Sequence, residues 1–309
     1  ESLPALLDAG VADALLSRRQ SLQEPSAWLG LIKELHRFGG VADAAEFTLV
    51  IPLYRRWDFV LGQVAAFAMD PVFLDGRARV IYVVDDPTIA ADFLGWCVNH
   101  LQQECISVDV LVMKANVGFS LACDVGVLQA DTEYVCLLNS DVLPIQAGWL
   151  ELMWRCLIAT PGALVAPLLV YEGGEIQHAG MAVQWSSPDR AFPSCLHPLK
   201  GLHPDAFAHL NSGADAFAVD ALSGAALMFE RDRFLAIGGF DPVFGRGDFE
   251  DLDLSLRWLA QHGPCLLMPA SRLIHLERQS ISREPDCLAR WRQGLNAWMA
   301  QRLAHGRGR

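Results

Sequence analysis

Apolar residues change rhythm along the chain. Through residues 1–45, Leu and Ala recur at helical spacing, as in Leu3-x-x-Leu6-Leu7 and Leu29-x-Leu31-Ile32-x-x-Leu35, until Gly39-Gly40 stops the pattern. This predicts an N-terminal helical segment over 1–45. From there short β-branched runs alternate with helix-length segments. Phe47–Tyr54, Val80–Val84, Val108–Met113 and Tyr134–Leu138 read as buried strands, with helices over 60–69, 88–103 and 120–130. Such alternation implies crossover connections and an α/β fold whose mostly parallel sheet is covered on both faces.

After Asp141 the alternation loosens. A helix over 147–159 and a strand near 163–170 are followed by a stretch from about 184 to 220 carrying Ser186-Ser187-Pro188, Pro193, Pro198, Pro204 and Gly213. A loop of that length inside a compact domain is expected to be functional or mobile. Ala221–Glu230 then reads as a strand, Phe249–Gln261 as a helix and Cys265–Pro269 as a short strand before His275. A basic helix is expected over 285–304, with Trp291, Trp298 and several Arg at helical spacing, suited to an anionic lipid surface or to packing on the domain.

Charge narrows the function. With 24 Lys+Arg against 36 Asp+Glu, the formal charge is −12, which repels phosphate backbones and argues against nucleic-acid partners. No window offers the roughly 18 to 20 uninterrupted apolar residues of a membrane-spanning helix. The opening Glu1, without an initiator Met or a signal-peptide pattern, suggests a cut from a longer chain with further domains upstream. Eight cysteines without a Cys-x-x-Cys pair read as buried thiols of a cytoplasmic protein.

Ligands of an open parallel sheet bind beyond the carboxyl ends of its strands. Those exits here carry Asp85-Asp86, Asn116-Val117-Gly118 and Asn139-Ser140-Asp141. An Asp after a strand commonly caps a helix or a turn. Several acids and amides at one sheet edge, however, suit a hard divalent cation that neutralises a diphosphate where Lys and Arg are scarce. No Gly-x-Gly-x-x-Gly follows the first strand and no Gly-x-x-x-x-Gly-Lys-Ser/Thr occurs, which weakens dehydrogenase and P-loop readings.

Eight short motifs then occur in order: Val50-Ile51-Pro52-Leu53-Tyr54, Val83-Val84-Asp85-Asp86, Asn116-x-Gly118, Leu137-Leu138-Asn139-Ser140-Asp141, Ser223-Gly224-Ala225, Gly238-Gly239-Phe240-Asp241, Glu250-Asp251-x-Asp253-Leu254 and Ile274-His275. In this the chain resembles the inverting glycosyltransferases of family 2, with the Rossmann-like GT-A fold. The resemblance implies a glycosyltransferase domain over 46–280, with a nucleotide-binding half at 46–141 and an acceptor-binding half at 142–280; the spacing of Arg and Trp beyond it predicts a separate basic C-terminal helix over 281–309.

By the same resemblance, Pro52, Tyr54, Asp85, Asp86, Asn116, Gly118, Asn139, Ser140, Ser223 and Gly224 would bind the nucleotide sugar. Asp141 and His275 would hold Mn²⁺ or Mg²⁺, Asp141 standing in the family's Asp-x-Asp motif, whose first Asp is Asn139 here. Asp251 would be the base that deprotonates the acceptor hydroxyl, with Glu250 the second candidate. The expected reaction is hexosyl transfer from a UDP-, dTDP- or GDP-linked sugar to a glycan or lipid-linked polysaccharide precursor. Asp124-Val125-Gly126 stands where Asn-x-Gly is usual, and no role is assigned to His178. Two alternatives remain, a sugar nucleotidyltransferase and a non-catalytic module. The first would carry a Gly-rich loop where Pro52-Leu53-Tyr54-Arg55-Arg56 stands, and nucleoside diphosphate release separates all three.

Overall fold

Apolar runs without polar alternation must be covered on both faces, and the order of elements supplies that cover. The computed structural model describes residues 22, 25–40, 42, 45–102, 104–185, 193–207, 210, 216–244, 247–276 and 296. Its helices are α1 (Pro25–Leu29), α2 (Val60–Phe67), α3 (Pro71–Leu74), α4 (Ala90–His100), α5 (Phe119–Gln129), α6 (Trp149–Ala159), α7 (Arg231–Ala236) and α8 (Glu250–Gln261). Its strands are β1 (Ile32–Gly39), β2 (Phe47–Leu53), β3 (Ala78–Val84), β4 (Ser107–Met113), β5 (Tyr134–Leu138), β6 (Val142–Pro144), β7 (Leu164–Val170), β8 (Ile176–His178), β9 (Ala182–Trp185), β10 (Pro193–Leu196), β11 (Phe217–Val219), β12 (Ala226–Glu230) and β13 (Cys265–His275).

The main sheet runs β1-β4-β3-β2-β5-β12-β7-β13-β11, with β6 on β13 and β8 on β7. Its N-terminal half, β4-β3-β2-β5, is parallel, as is the pair β7 and β13. β12 lies antiparallel between β5 and β7. Alternate residues of the parallel strands feed two cores. Leu49, Ile51, Leu53, Val80, Tyr82 and Val84 pack with Phe67 of α2, Phe93 of α4 and Trp149 of α6. Val50, Ile81 and Val83 pack with Leu121 and Val125 of α5 and with Trp258 of α8. Burying each such large side chain stabilises the fold by about 1.5–3 kcal/mol. Helix α5 lies so close to the sheet that a Cβ at Gly126 would run into Val50, so only glycine permits that approach.

The N-terminal segment departs from the helix expected over 1–45. Only α1 is helical among its described residues, and β1 pairs antiparallel with β4 from Ile32↔Met113 to Gly39↔Ser107. The physical reason is the open edge of β4, whose backbone groups gain more from a ladder than Leu35 loses by facing solvent at 44% exposure. The pattern there also has period two, with Lys33, Leu35 and Arg37 outward. Charged residues along this strand blunt a sheet edge against further pairing. Two smaller departures shape the site: β12 begins at Ala226 instead of Ala221, and β13 continues past Pro269 to His275. Within the long 184–220 stretch, β9 and β10 form a separate antiparallel ribbon. Of the basic segment 285–304, position 296 alone is described, and it is buried.

Candidate active site

Because β2, β3, β4 and β5 are parallel, their exits meet at one edge, where a cleft of about 430 Å³ opens. It is lined by Pro52, Tyr54, Asp85, Asn116, Gly118, Asn139, Ser140, Asp141, Ser223, Gly224, Glu250, Asp251 and His275, thirteen of the fourteen residues expected at the site. The exception is Asp86. Its Oδ1 accepts from the Thr88 amide at 3.0 Å and the Thr88 hydroxyl at 2.6 Å, so it caps the turn that leads into α4.

Asp85 shapes the neighbouring loop. Its carboxylate accepts from the amides of Val117 at 2.7 Å and Gly118 at 3.0 Å, and from Asn116 Nδ2 at 3.3 Å. Gly118, at φ 94°, adopts a backbone that side chains disfavour and starts α5. At the β2 exit, Arg56 N donates to Tyr54 O at 2.7 Å across Arg55, whose φ of 61° marks a strained three-residue turn. That turn, not a glycine loop, brings Arg55 to the cleft wall.

The Asn139-Ser140-Asp141 segment is a tight turn, closed by Val142 N donating to Asn139 O at 3.1 Å. Sequence reasoning missed what pins it. Buried Gln63 of α2 donates through Nε2 to both Asn139 O and Val142 O at 3.0 Å. Pairing of β13 with β6 sets His275 opposite Val142, and Leu276 N donates to Asp141 O at 3.0 Å. His275 Nε2 therefore lies 3.5 Å from Asp141 Oδ1, with both residues 7% exposed. One carboxylate and one imidazole fit a borderline divalent cation such as Mn²⁺. Among the described residues no third acidic, His or Cys side chain joins them, so such an ion would complete its coordination with ligands other than these.

Across the cleft, α8 starts under strain. Asp248 and Phe249 both lie at positive φ, 73° and 74°, a conformation that costs about 1 kcal/mol or more for each non-glycine residue. Asn296 Nδ2 holds this loop, within 2.6–3.0 Å of the carbonyls of Phe244, Gly247 and Asp248. The loop turns Glu250 and Asp251 toward the cleft. Asp251 Oδ2 accepts from Gly224 N at 3.1 Å and Oδ1 from Leu252 N at 2.8 Å. Burial raises the Asp251 pKa, with these two amides opposing the shift. The carboxylate thus keeps lone pairs for a further donor and gains basicity.

The 193–200 segment adds Cys195, His197 and Lys200 to the cleft, none of which sequence motifs had marked. Their one signal was the length of the loop that carries them. Burial, and then Asp251, pushes the Cys195 thiol up to about 12, so it stays protonated and inert. His178, buried on β8, accepts from Ser223 N at 3.2 Å. Asp124 Oδ1 accepts from Phe240 N at 2.9 Å, which ties α5 to the Gly238-Gly239-Phe240-Asp241 loop.

Known proteins resemble this chain in sequence and in fold. The chain is similar to "Uncharacterized protein y4gI" of Sinorhizobium fredii, with 31% identity over 219 residues, 70% of this chain and 23% of the relative. It is also similar to the O-antigen biosynthesis protein RfbC of Myxococcus xanthus, with 31% identity over 165 residues, 52% of this chain and 12% of the relative. The chain therefore spans less than a quarter of the length of these curated relatives. Among solved structures, GalNAc-T7 with UDP, GalNAc and Mn²⁺ superposes at a TM-score of 0.57 and 18% identity, covering 77% of this chain and 44% of that one. The mannosyltransferase PcManGT from Pyrobaculum calidifontis, in complex with GDP-Man and Mn²⁺, does so at 0.53 and 13% identity, covering 92% and 72%. Identities this low speak to the fold alone, which is GT-A. The description Glycosyl transferase family 2 matches residues 48–211, more than half of the chain, and to that family the chain belongs.

Proposed function

We propose that the chain transfers a sugar from a nucleoside-diphosphate sugar to a hydroxyl acceptor by a single in-line displacement that inverts the anomeric carbon. The observation that carries this reading is Asp251, a half-buried carboxylate held by two backbone amides in the same cleft as Asp85, Asn116, Asp141 and His275. Asp251 would take the acceptor proton as the hydroxyl oxygen attacks, and a raised pKa suits that task. Glu250, its neighbour on the helix, points about 100° away around the axis, so one of the two faces the acceptor.

Donor binding falls to the strand exits. Pro52 and Tyr54 would flank the nucleoside, and Asn116 and Asp85 would meet base or ribose donors. Asp141 and His275 would hold a divalent ion, Mn²⁺ or Mg²⁺, whose bound charge stabilises the departing diphosphate. The cleft wall gives that ion a reason: Asp85, Asp141, Asp248, Glu250 and Asp251 outnumber the cations Arg55 and Lys200. The Pyrobaculum and GalNAc structures hold nucleotide or nucleotide-sugar with Mn²⁺, and RfbC is an O-antigen biosynthesis protein. These support a hexosyl donor and a glycan or lipid-linked acceptor of polysaccharide assembly, a reaction we place at the cytoplasmic side of a membrane. No helix among the described residues is long and apolar enough to cross one.

The test is nucleoside diphosphate release from UDP-glucose, UDP-galactose, dTDP-rhamnose and GDP-mannose, with and without Mn²⁺ and in the presence of oligosaccharide acceptors. Inversion is read from the anomeric proton coupling of the product. Wild-type protein that releases no diphosphate from any donor and binds none of them would leave the non-catalytic module as the reading. Consumption of a nucleoside triphosphate with sugar phosphate would favour the nucleotidyltransferase.

A further inference from the structure

The segment from Leu222 to Ala225 lies between β8 and α8, just before β12, and its backbone amides do not join a ladder. Leu222 N donates to Ser255 Oγ at 3.1 Å, Ser223 N to His178 Nε2 at 3.2 Å, Gly224 N to Asp251 Oδ2 at 3.1 Å and Ala225 N to Ser223 Oγ at 3.3 Å. The carbonyl of Ala225 accepts from Asn139 N at 2.8 Å. These four residues form a strap that touches the Asn139–Asp141 turn at one end and the Asp251 carboxylate in its middle. Buried amides must be satisfied, so each side chain on the strap fixes where the neighbouring amide points.

We infer that His178 is a positioning residue for Asp251, acting through the strap: its Nε2 captures the Ser223 amide and so aims the adjacent Gly224 amide at the Asp251 carboxylate. The inference rests on the proposed role of Asp251 as base. His178 is 1% exposed on β8, in register with Leu169 of β7, so the sheet fixes its ring. An amide can donate only to an unprotonated ring nitrogen, which places the proton on Nδ1. Burial, with His197, His275 and Lys200 nearby, drives its pKa down to about 3, so the acceptor persists through the working pH range. A Cβ at Gly224 would sit 3.4 Å from Asp251 Cβ and 3.6 Å from the Phe119 ring, ordinary van der Waals distances that place the strap directly against the side chain it bonds.

The experiment compares two amides. In His178→Gln the side-chain carbonyl reaches the place of Nε2, whereas in His178→Asn it reaches only that of Nδ1. The first readout is the titration of Asp251 by ¹³C NMR, which needs no turnover. The groups facing that carboxyl are His197, Cys195 and Asp248, with Glu250 beside it, and all remain unchanged in both variants. Loss of an amide bond to a charged acceptor raises a carboxyl pKa by about one unit. Asp251 should therefore titrate about one pH unit higher in His178→Asn, and close to wild type in His178→Gln.

The second readout is kinetic, with the donor that the wild type uses. Here kcat should fall tenfold or more in His178→Asn with the donor KM within twofold, and recover to within threefold in His178→Gln. His178→Asn leaves Ser223 N without its acceptor and should melt a few degrees below His178→Gln, so the Asp251 titration, which a uniform loss of stability would not move, separates positioning from a merely structural role. Equal behaviour of the two, whether both normal or both impaired, overturns the inference. If the wild type turns over no donor, the proposed function fails, and the Asp251 titration still decides the role of His178.

Discussion

Replacing Asp251 by Asn tests the proposed chemistry, and the structure sets two separate magnitudes for it. Removing a positioned general base typically lowers turnover by about 10²- to 10⁴-fold. At about 1.36 kcal/mol per tenfold, that is roughly 2.7–5.4 kcal/mol of lost transition-state stabilisation. The second effect is structural. Both Asp251 oxygens accept backbone amides, from Gly224 and Leu252, and the Asn side chain has one oxygen to offer. One amide then faces an NH₂ group, and a buried unsatisfied N–H costs about 1–3 kcal/mol. Relief from burying a carboxylate offsets part of that cost, and in a large domain each kcal/mol moves Tm by about 2–4 °C. The variant should thus melt a few degrees lower while donor KM holds and kcat falls by two orders of magnitude or more. In the wild type, kcat/KM should fall on the acid side with a midpoint above the ordinary Asp value of 3.8, since burial raises this carboxyl. Asp251→Asn should lack that limb. Diphosphate release followed across pH, with Glu250→Gln beside it, supplies the data. Near-normal turnover in Asp251→Asn would refute the assignment, and a collapse confined to Glu250→Gln would move the base by one residue.

The remaining predictions concern the metal, the strained loop and a buried acid. Calorimetry should show UDP or GDP binding at least tenfold tighter with Mn²⁺ than in chelator, and Asp141→Ala or His275→Ala should remove most of that gain; equal affinity in both conditions refutes the metal site. Asn296→Ala frees the carbonyls of Phe244, Gly247 and Asp248, so kcat should fall tenfold or more as α8 loses its aim, and unchanged kinetics would show that the loop holds itself. Asp124 is fully buried and its pKa is raised well above 3.8, chiefly by burial, so its stabilising contribution is present at low pH and lost as pH rises. Asp124→Asn keeps an oxygen for Phe240 N, and should equal or exceed wild-type Tm at pH 8 and show a flatter dependence of Tm on pH; a clear drop in Tm there refutes the reasoning.

What the sequence shows of this site follows from how far each interaction reaches. Strand exits are local: a β-branched run followed by Asp85, Asn116 or Asn139 carries its own address, and parallel pairing then delivers those exits to one edge. The helix of Asp251 is equally local. The residues that aim these groups are not. Gln63 reaches the turn at Asn139, His178 reaches Ser223, Asp124 reaches Phe240 and Asn296 reaches Gly247, each binding a backbone group that any residue type could supply. A side chain recognising backbone leaves no second letter to pair with, so neither spacing nor composition marks it. The same asymmetry explains β1, where helical spacing at Leu29–Leu35 yields to the unpaired edge of β4, a demand made by residues 107–113 far along the chain. It also explains why Asp86 looked equal to Asp85. Two adjacent acids after a strand are alike as letters, but a strand exit sends successive side chains to opposite sides, one into the cleft and the other to Thr88.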